Sequence, residues 1–234
     1  MKNLFHTLLY QPILEVLIFI YKAIAFRDLG IAIILLTVFI RFLLLPFFHR
    51  GAKDQTKIQR LQPLVKKIQQ DHKDDKEKQT KALLDLYKEH CVNPFSGIVL
   101  LIVQLPVLIA LYRVFLKGLS NAAFDNYKFL SLIDLSQKNF LITILAILAQ
   151  YWQGKIMMMP KAGVCSVAAD RANQAMLYIG PALTLLVLSN LPSAIGLYWL
   201  VSSLFSLGQQ VFINKSLEKQ KQHGTIIGEN KKTA

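Results

Sequence analysis

Long apolar stretches separated by short, strongly basic ones constrain this chain more than any other feature of its sequence. Residues 29–49 carry a single charge, Arg41, and residues 95–116, 139–157, 174–189 and 194–213 are similarly apolar. A helix needs about 20 residues to cross the ~30 Å hydrocarbon core of a bilayer. Five such stretches predict an all-α integral membrane protein with five transmembrane helices. Hydrophobic residues make up 53% of the chain, yet its formal net charge is +13. A soluble domain rarely combines the two.

The remaining segments have characters of their own. Residues 1–28 hold an apolar run that starts near Pro12 and is interrupted by Glu15 and Lys22. It is short for a span and predicts an amphipathic helix lying in the membrane interface; a further span is the competing reading. Lys2 alone makes a thin basic flank, so the segment does not read as a cleaved signal. Residues 29–49 form the first transmembrane helix. Residues 50–93 turn polar, with Ile58, Leu61, Val65 and Ile68 at helical spacing. Asp74 and Asp75 are placed to cap a second helix carrying Leu83, Leu84, Leu86 and Tyr87. The pair predicts a cytoplasmic helical hairpin, and Pro63 implies a kink or a late start in its first helix. Residues 94–213 hold transmembrane helices two to five. The tight Ser189–Ser193 turn makes the last two antiparallel neighbours. Residues 214–234 are a basic cytoplasmic tail.

Charge placement gives the orientation. Segments 50–93, 155–173 and 214–234 hold nineteen Lys and Arg, against six in 1–28 and 117–138. The positive-inside rule then puts the N-terminus outside and the C-terminus in the cytoplasm of a plasma (inner) membrane, multi-pass. The basic segments would face anionic lipids or ribosomal RNA. Cys91 and Cys165 fall on the reducing side and read as unpaired thiols.

Arg41 is the residue from which function is best argued. It lies eight residues before the end of its span, roughly 12 Å of helix rise. A charge at the bilayer centre costs about 2.5–3.5 kcal/mol on insertion scales. No Asp or Glu occurs within the five spans to offset it. The ordinary reading is snorkelling to the inner interface. The functional reading is a hydrated cavity between helices, where a cation attracts acidic or polar segments of a passing chain. Thr37 lies one turn from Arg41 on the same face. Gln104, Gln150, Gln153, Ser202, Ser203 and Gln209 could line such a cavity; for any one of them, interhelical hydrogen bonding is the simpler account. Tyr198 and Trp199 fit an interfacial belt or the cavity wall. The run Met157–Met159 suits adaptable apolar contact or interface filling.

No HExxH, P-loop or GxGxxG pattern occurs, and no histidine pairs with a second at ligand spacing. Neither an enzyme nor a metal or other cofactor is expected.

Tyr10-Gln11-Pro12, Arg41 before Leu43-Leu44-Leu45-Pro46, and Leu61-Gln62-Pro63 occur in that order. Val92-Asn93-Pro94, Gln104-Leu105-Pro106, Leu191-Pro192-Ser193 and Gly196-Leu197-Tyr198-Trp199 follow, with Gln209-Gln210 last. As an ordered set they resemble the YidC family of membrane protein insertases. The family's Gly-Cys-Leu-Pro stretch is replaced here by Gly97-Ile98-Val99-Leu100. The resemblance implies a minimal five-span form, without the extra N-terminal span and periplasmic domain of many members. It implies an insertase and chaperone with a hydrophilic groove open to cytoplasm and lipid. Arg41, Thr37, Gln104, Gln150, Gln153, Tyr198, Trp199 and Ser202 form the expected groove set, with Trp199 at a groove-lining aromatic position. The implied partners are nascent membrane-protein substrates, the ribosome through the basic tail and loops, the Sec translocon and targeting machinery. The alternative is a small polytopic transporter or channel, which a liposome flux assay distinguishes.

Overall fold

The computed structural model describes residues 6–93, 95–115, 124–157 and 167–230. Met158, Met159, Cys165 and the end of the basic tail lie outside them. A π-helical turn, His6–Tyr10, leads into α1, Gln11–Ala23. Then follow α2, Leu29–Leu43, and α3, Leu45–Asp71; α4, Lys76–Glu89, and α5, Ser96–Arg113. Two short strands, β1 (Lys128–Phe129) and β2 (Ile133–Asp134), pair antiparallel with Phe129 opposite Ile133. The last three helices are α6, Phe140–Met157, α7, Val167–Leu188, and α8, Ser193–Asn230.

The segment 29–49, read from the sequence as one span, is divided. Its helix ends at Leu44 (φ −90°, ψ 1°), and α2 and α3 meet at a 70° bend. Pro46 supplies the cause. In a continuous helix its ring would clash with the Phe42 carbonyl; in the first turn of a new helix its missing N–H costs nothing. Pro63, Pro106 and Pro181 by contrast lie inside α3, α5 and α7. Pro63 therefore neither delays nor ends its helix. The turn after α3 leads to Asp75, which caps α4 by accepting from the Lys78 amide at 3.0 Å.

That amide holds the Asp75 carboxyl below the usual carboxylate range, and the Lys78 side chain adds to the effect. A depressed carboxyl contributes stability above its unfolded pKa of about 3.9 and loses it as pH falls through the folded value. The hairpin helix should therefore loosen only in that acid window. Asp75→Ala should reproduce the loss at neutral pH, as faster amide exchange at Lys76–Gln79 with α3 unchanged.

Packing combines an apolar core with a set of buried polar groups and an apolar exterior. Helix α8 runs along α6 and α2, and α5 packs on α3. The core, with Leu17, Tyr21, Leu29, Ile33, Leu111 and Ile195, also buries Thr37, Arg41, Ser202, Ser203, Gln210 and Asn214. Phe19, Phe42, Ile102, Leu183, Leu186 and Phe212 are meanwhile exposed. Polar groups within and bulky apolar groups outside suit lipid as the surrounding solvent. Among the described residues, no single helix is both long and apolar enough to cross a membrane. The bent α2–α3 pair qualifies together, while Ile102–Arg113, Phe140–Ile156 and Leu177–Leu188 are shorter apolar stretches. In α8 the run Ser202, Ser203, Ser206, Gln209 and Gln210 dilutes the apolar character.

The β-hairpin closes one end of this bundle. Asp28 caps α2 through the Ile31 amide, and its other oxygen accepts from the Leu130 amide at 2.6 Å. The Asn126 amide donates to Tyr21 Oη, while Ser193 and Ala194 of α8 donate backbone amides to Gln137 and Leu135. One short hairpin thus joins α1, α2 and α8.

Candidate functional site

Arg41 sits in the last turn of α2, 9% exposed, and points at α8. Its Nε donates to Ser202 Oγ at 2.8 Å, and its Nη2 donates to the same oxygen. Across the bend, Phe48 of α3 places its ring 4.7 Å from the guanidinium carbon, a cation–π contact. No ion pair involves Arg41 among the described residues. A guanidinium carries five N–H donors, so one hydroxyl and one ring leave most of that capacity unused.

Tyr198 lies one turn before Ser202 on α8. Gln104 of α5 donates to its hydroxyl. Arg41–Ser202 and Gln104–Tyr198 are therefore two polar pairs on one seam, with α8 as the shared wall. Thr37 is buried a turn from Arg41, but its hydroxyl donates to the Ile33 carbonyl of its own helix at 2.6 Å. Trp199 is half-buried against the core. Gln150 accepts from Thr184 of α7, away from Arg41. Gln153 is half-buried on α6, and among the described residues no hydrogen bond ties it to the Arg41 seam.

A second polar cluster escaped the sequence reading. Gln210 Nε2 donates to Thr56 Oγ1 at 2.8 Å and to Asn214 Oδ1 at 3.1 Å, and Asn214 Nδ2 donates to the Ile156 carbonyl at 3.3 Å. Thr56, Gln210 and Asn214 are all buried, so α3, α6 and α8 are joined by a chain of satisfied amides. The signal available was Gln210 and Asn214 at i, i+4.

The Gln104–Tyr198 pair can be weighed directly. Interhelical hydrogen bonds in membranes contribute about 0.6–2 kcal/mol. Tyr198→Phe should destabilise by that amount because Gln104 loses its acceptor. Adding Gln104→Leu should recover part of the loss, measured as a double-mutant cycle on thermal unfolding in detergent.

A family model described as 60Kd inner membrane protein matches residues 19–221, most of the chain. The chain belongs to the 60Kd inner membrane protein family. Curated relatives agree. A protein of Wolinella succinogenes named membrane protein insertase YidC is 29% identical over 218 residues, 93% of this chain and 39% of that protein. One of Geotalea uraniireducens (strain Rf4) with the same name is 34% identical over 89% of this chain and 38% of its own length. The chain thus spans about two-fifths of those relatives. A shorter Clostridium tetani protein, also named membrane protein insertase YidC, is 31% identical over 82% of this chain and 83% of its own length. The family match covers both halves of the Arg41 seam, α2 and α8, as well as the hairpin between α3 and α4.

Proposed function

We propose that this chain inserts integral membrane proteins into the bilayer and assists their folding. The observation that carries the reading is Arg41, a buried cation with spare donors on the inner face of an apolar bundle. Such a group recognises an acidic or polar peptide segment by charge-assisted hydrogen bonds. The names of the relatives support the same reading.

In this account five spans cross the membrane, counting α2 with the bend into α3 as the first, and α1 lies in the outer interface. The N-terminus is outside, and the 50–93 hairpin and the tail face the cytoplasm. Arg41, Ser202, Gln104, Tyr198, Thr37 and Trp199 form the groove, with Gln150 and Gln153 toward its side. A substrate's polar tail exchanges into the donors around Arg41, which shortens the apolar path it must cross. Burial of its apolar span, at about 25 cal/mol per Å², then drives release into lipid. No nucleotide is required. The basic hairpin and tail would receive nascent chains from the ribosome or targeting machinery, with the Sec translocon and anionic lipids as neighbours.

The test is reconstitution. The purified full chain in liposomes should raise the protease-protected fraction of a single-span substrate well above that of empty liposomes. Equal protection in both would overturn the proposal.

A further inference from the structure

The elbow at Leu44 leaves an open cleft of about 380 Å³ between α3 and α8. Its walls are Leu45, Leu204, Phe205 and Phe212, and its floor is Gly208. A Cβ built at Gly208 meets nothing within 4 Å, so the absent side chain sets the depth.

Polar groups also line it. His49 and Gln209 face the cleft, and the His49 ring centroid lies 6.2 Å from that of Phe212. Gln209 Nε2 is buried with no hydrogen-bond partner among the described residues. An amide donor so placed favours a ligand that brings an acceptor. Beyond His49, residues 45–60 carry Arg50, Lys53, Lys57 and Arg60 against one acid, Asp54. Lys53 follows His49 by one helical turn on the same face. On α8, Lys215 follows Phe212 by three residues and is exposed.

The apolar walls and the cationic residues beyond His49 select among occupants: an amphiphile with an apolar chain and an anionic head matches both. We propose that the cleft binds one anionic diacyl phospholipid. An acyl chain packs between Phe205 and Phe212 over Gly208, an ester carbonyl accepts from Gln209, and the phosphate meets Lys53 and Arg50. Basic residues beside an apolar groove at the inner leaflet are suited to this chemistry. The site rests on the chain's place in the membrane and not on its insertase activity.

Native mass spectrometry of the delipidated full chain, titrated with phosphatidylglycerol or with phosphatidylcholine of the same acyl chains, tests it. The wild type should hold one phosphatidylglycerol, with phosphatidylcholine about thirtyfold weaker, the effect expected of two cationic contacts. Gly208→Leu fills the cleft from a position where an added Cβ meets nothing within 4 Å, and should abolish both. Arg50→Gln with Lys53→Gln should keep a bound lipid but erase the headgroup preference. Unchanged thermal unfolding of Gly208→Leu would assign the loss to the cleft. Equal lipid occupancy in Gly208→Leu and the wild type would overturn the proposal. So would an apolar single-span peptide that binds the cleft where phosphatidylglycerol does not.

Discussion

Replacing Arg41 with Met should leave the fold as stable as before or more so, yet cut insertion of a substrate with an acidic translocated tail by about tenfold or more. Hydrogen bonds to a charged group contribute roughly 1.5–3 kcal/mol, which is a factor of about 10–150. A buried charge without an ionic partner is costly, and an apolar residue of similar length removes that cost. Arg41→Lys should retain part of the activity, because the charge survives while the fork that reaches Ser202 by two nitrogens does not. A second substrate with an uncharged tail should be affected less. Unfolding temperature and insertion measured on the same preparations separate these effects. Loss of both together would make Arg41 a structural residue. Full insertion of both substrates by the Met and Lys variants would show that the charge is not required.

Gly30→Ala should destabilise the protein by about 1–3 kcal/mol, the range for overpacking. The sign is the diagnostic part. Within a helix, exchanging Gly for Ala normally gains up to ~1 kcal/mol. Here a Cβ would lie 2.1 Å from Phe129 Cδ2 and 2.4 Å from Cγ, because the hairpin ring rests directly on the α2 backbone. Relieving the clash means lifting the hairpin, which breaks the Leu130 amide bond to Asp28. Gly30→Val should be worse. Phe129→Gly in the Gly30→Ala background should recover part of the stability, because it removes both the ring and the Phe129 Cβ that would lie 2.6 Å away, and leaves the cap. A stabilising Gly30→Ala would contradict this packing. Thermal unfolding of the four proteins decides between them.

The sequence made different parts of this molecule legible to different degrees. Apolar periods and charge runs marked the helices, and Asp75 was readable as a cap because Asp before a helical pattern has a local cause. The break at Leu44 was masked by the apolar run through Phe48, although Pro46 carried its signal. Among the site residues, Arg41 and Ser202 stood out as polar groups in apolar surroundings, and the structure joins them. Which Gln pairs with which helix was not readable, since the choice depends on the rotation of each helix in the bundle. Gln104 meets Tyr198 on the Arg41 seam, whereas Gln150 meets Thr184 elsewhere. Thr56 was hidden inside the pattern of the hairpin. The β-hairpin left almost no trace, because strands of two residues carry no period. Its docking shows only in a glycine where helix propensity would favour another residue.

The central claim is that a nascent membrane protein occupies the seam between α2 and α8. Photocrosslinking from Thr37, Trp199 and Ser202 to a ribosome-bound single-span nascent chain measures this directly in the membrane. The account predicts crosslinks from these positions that appear as the substrate's polar tail emerges and fade once it is released. Crosslinks to lipid alone at every chain length, with the nascent chain inserted, would contradict it.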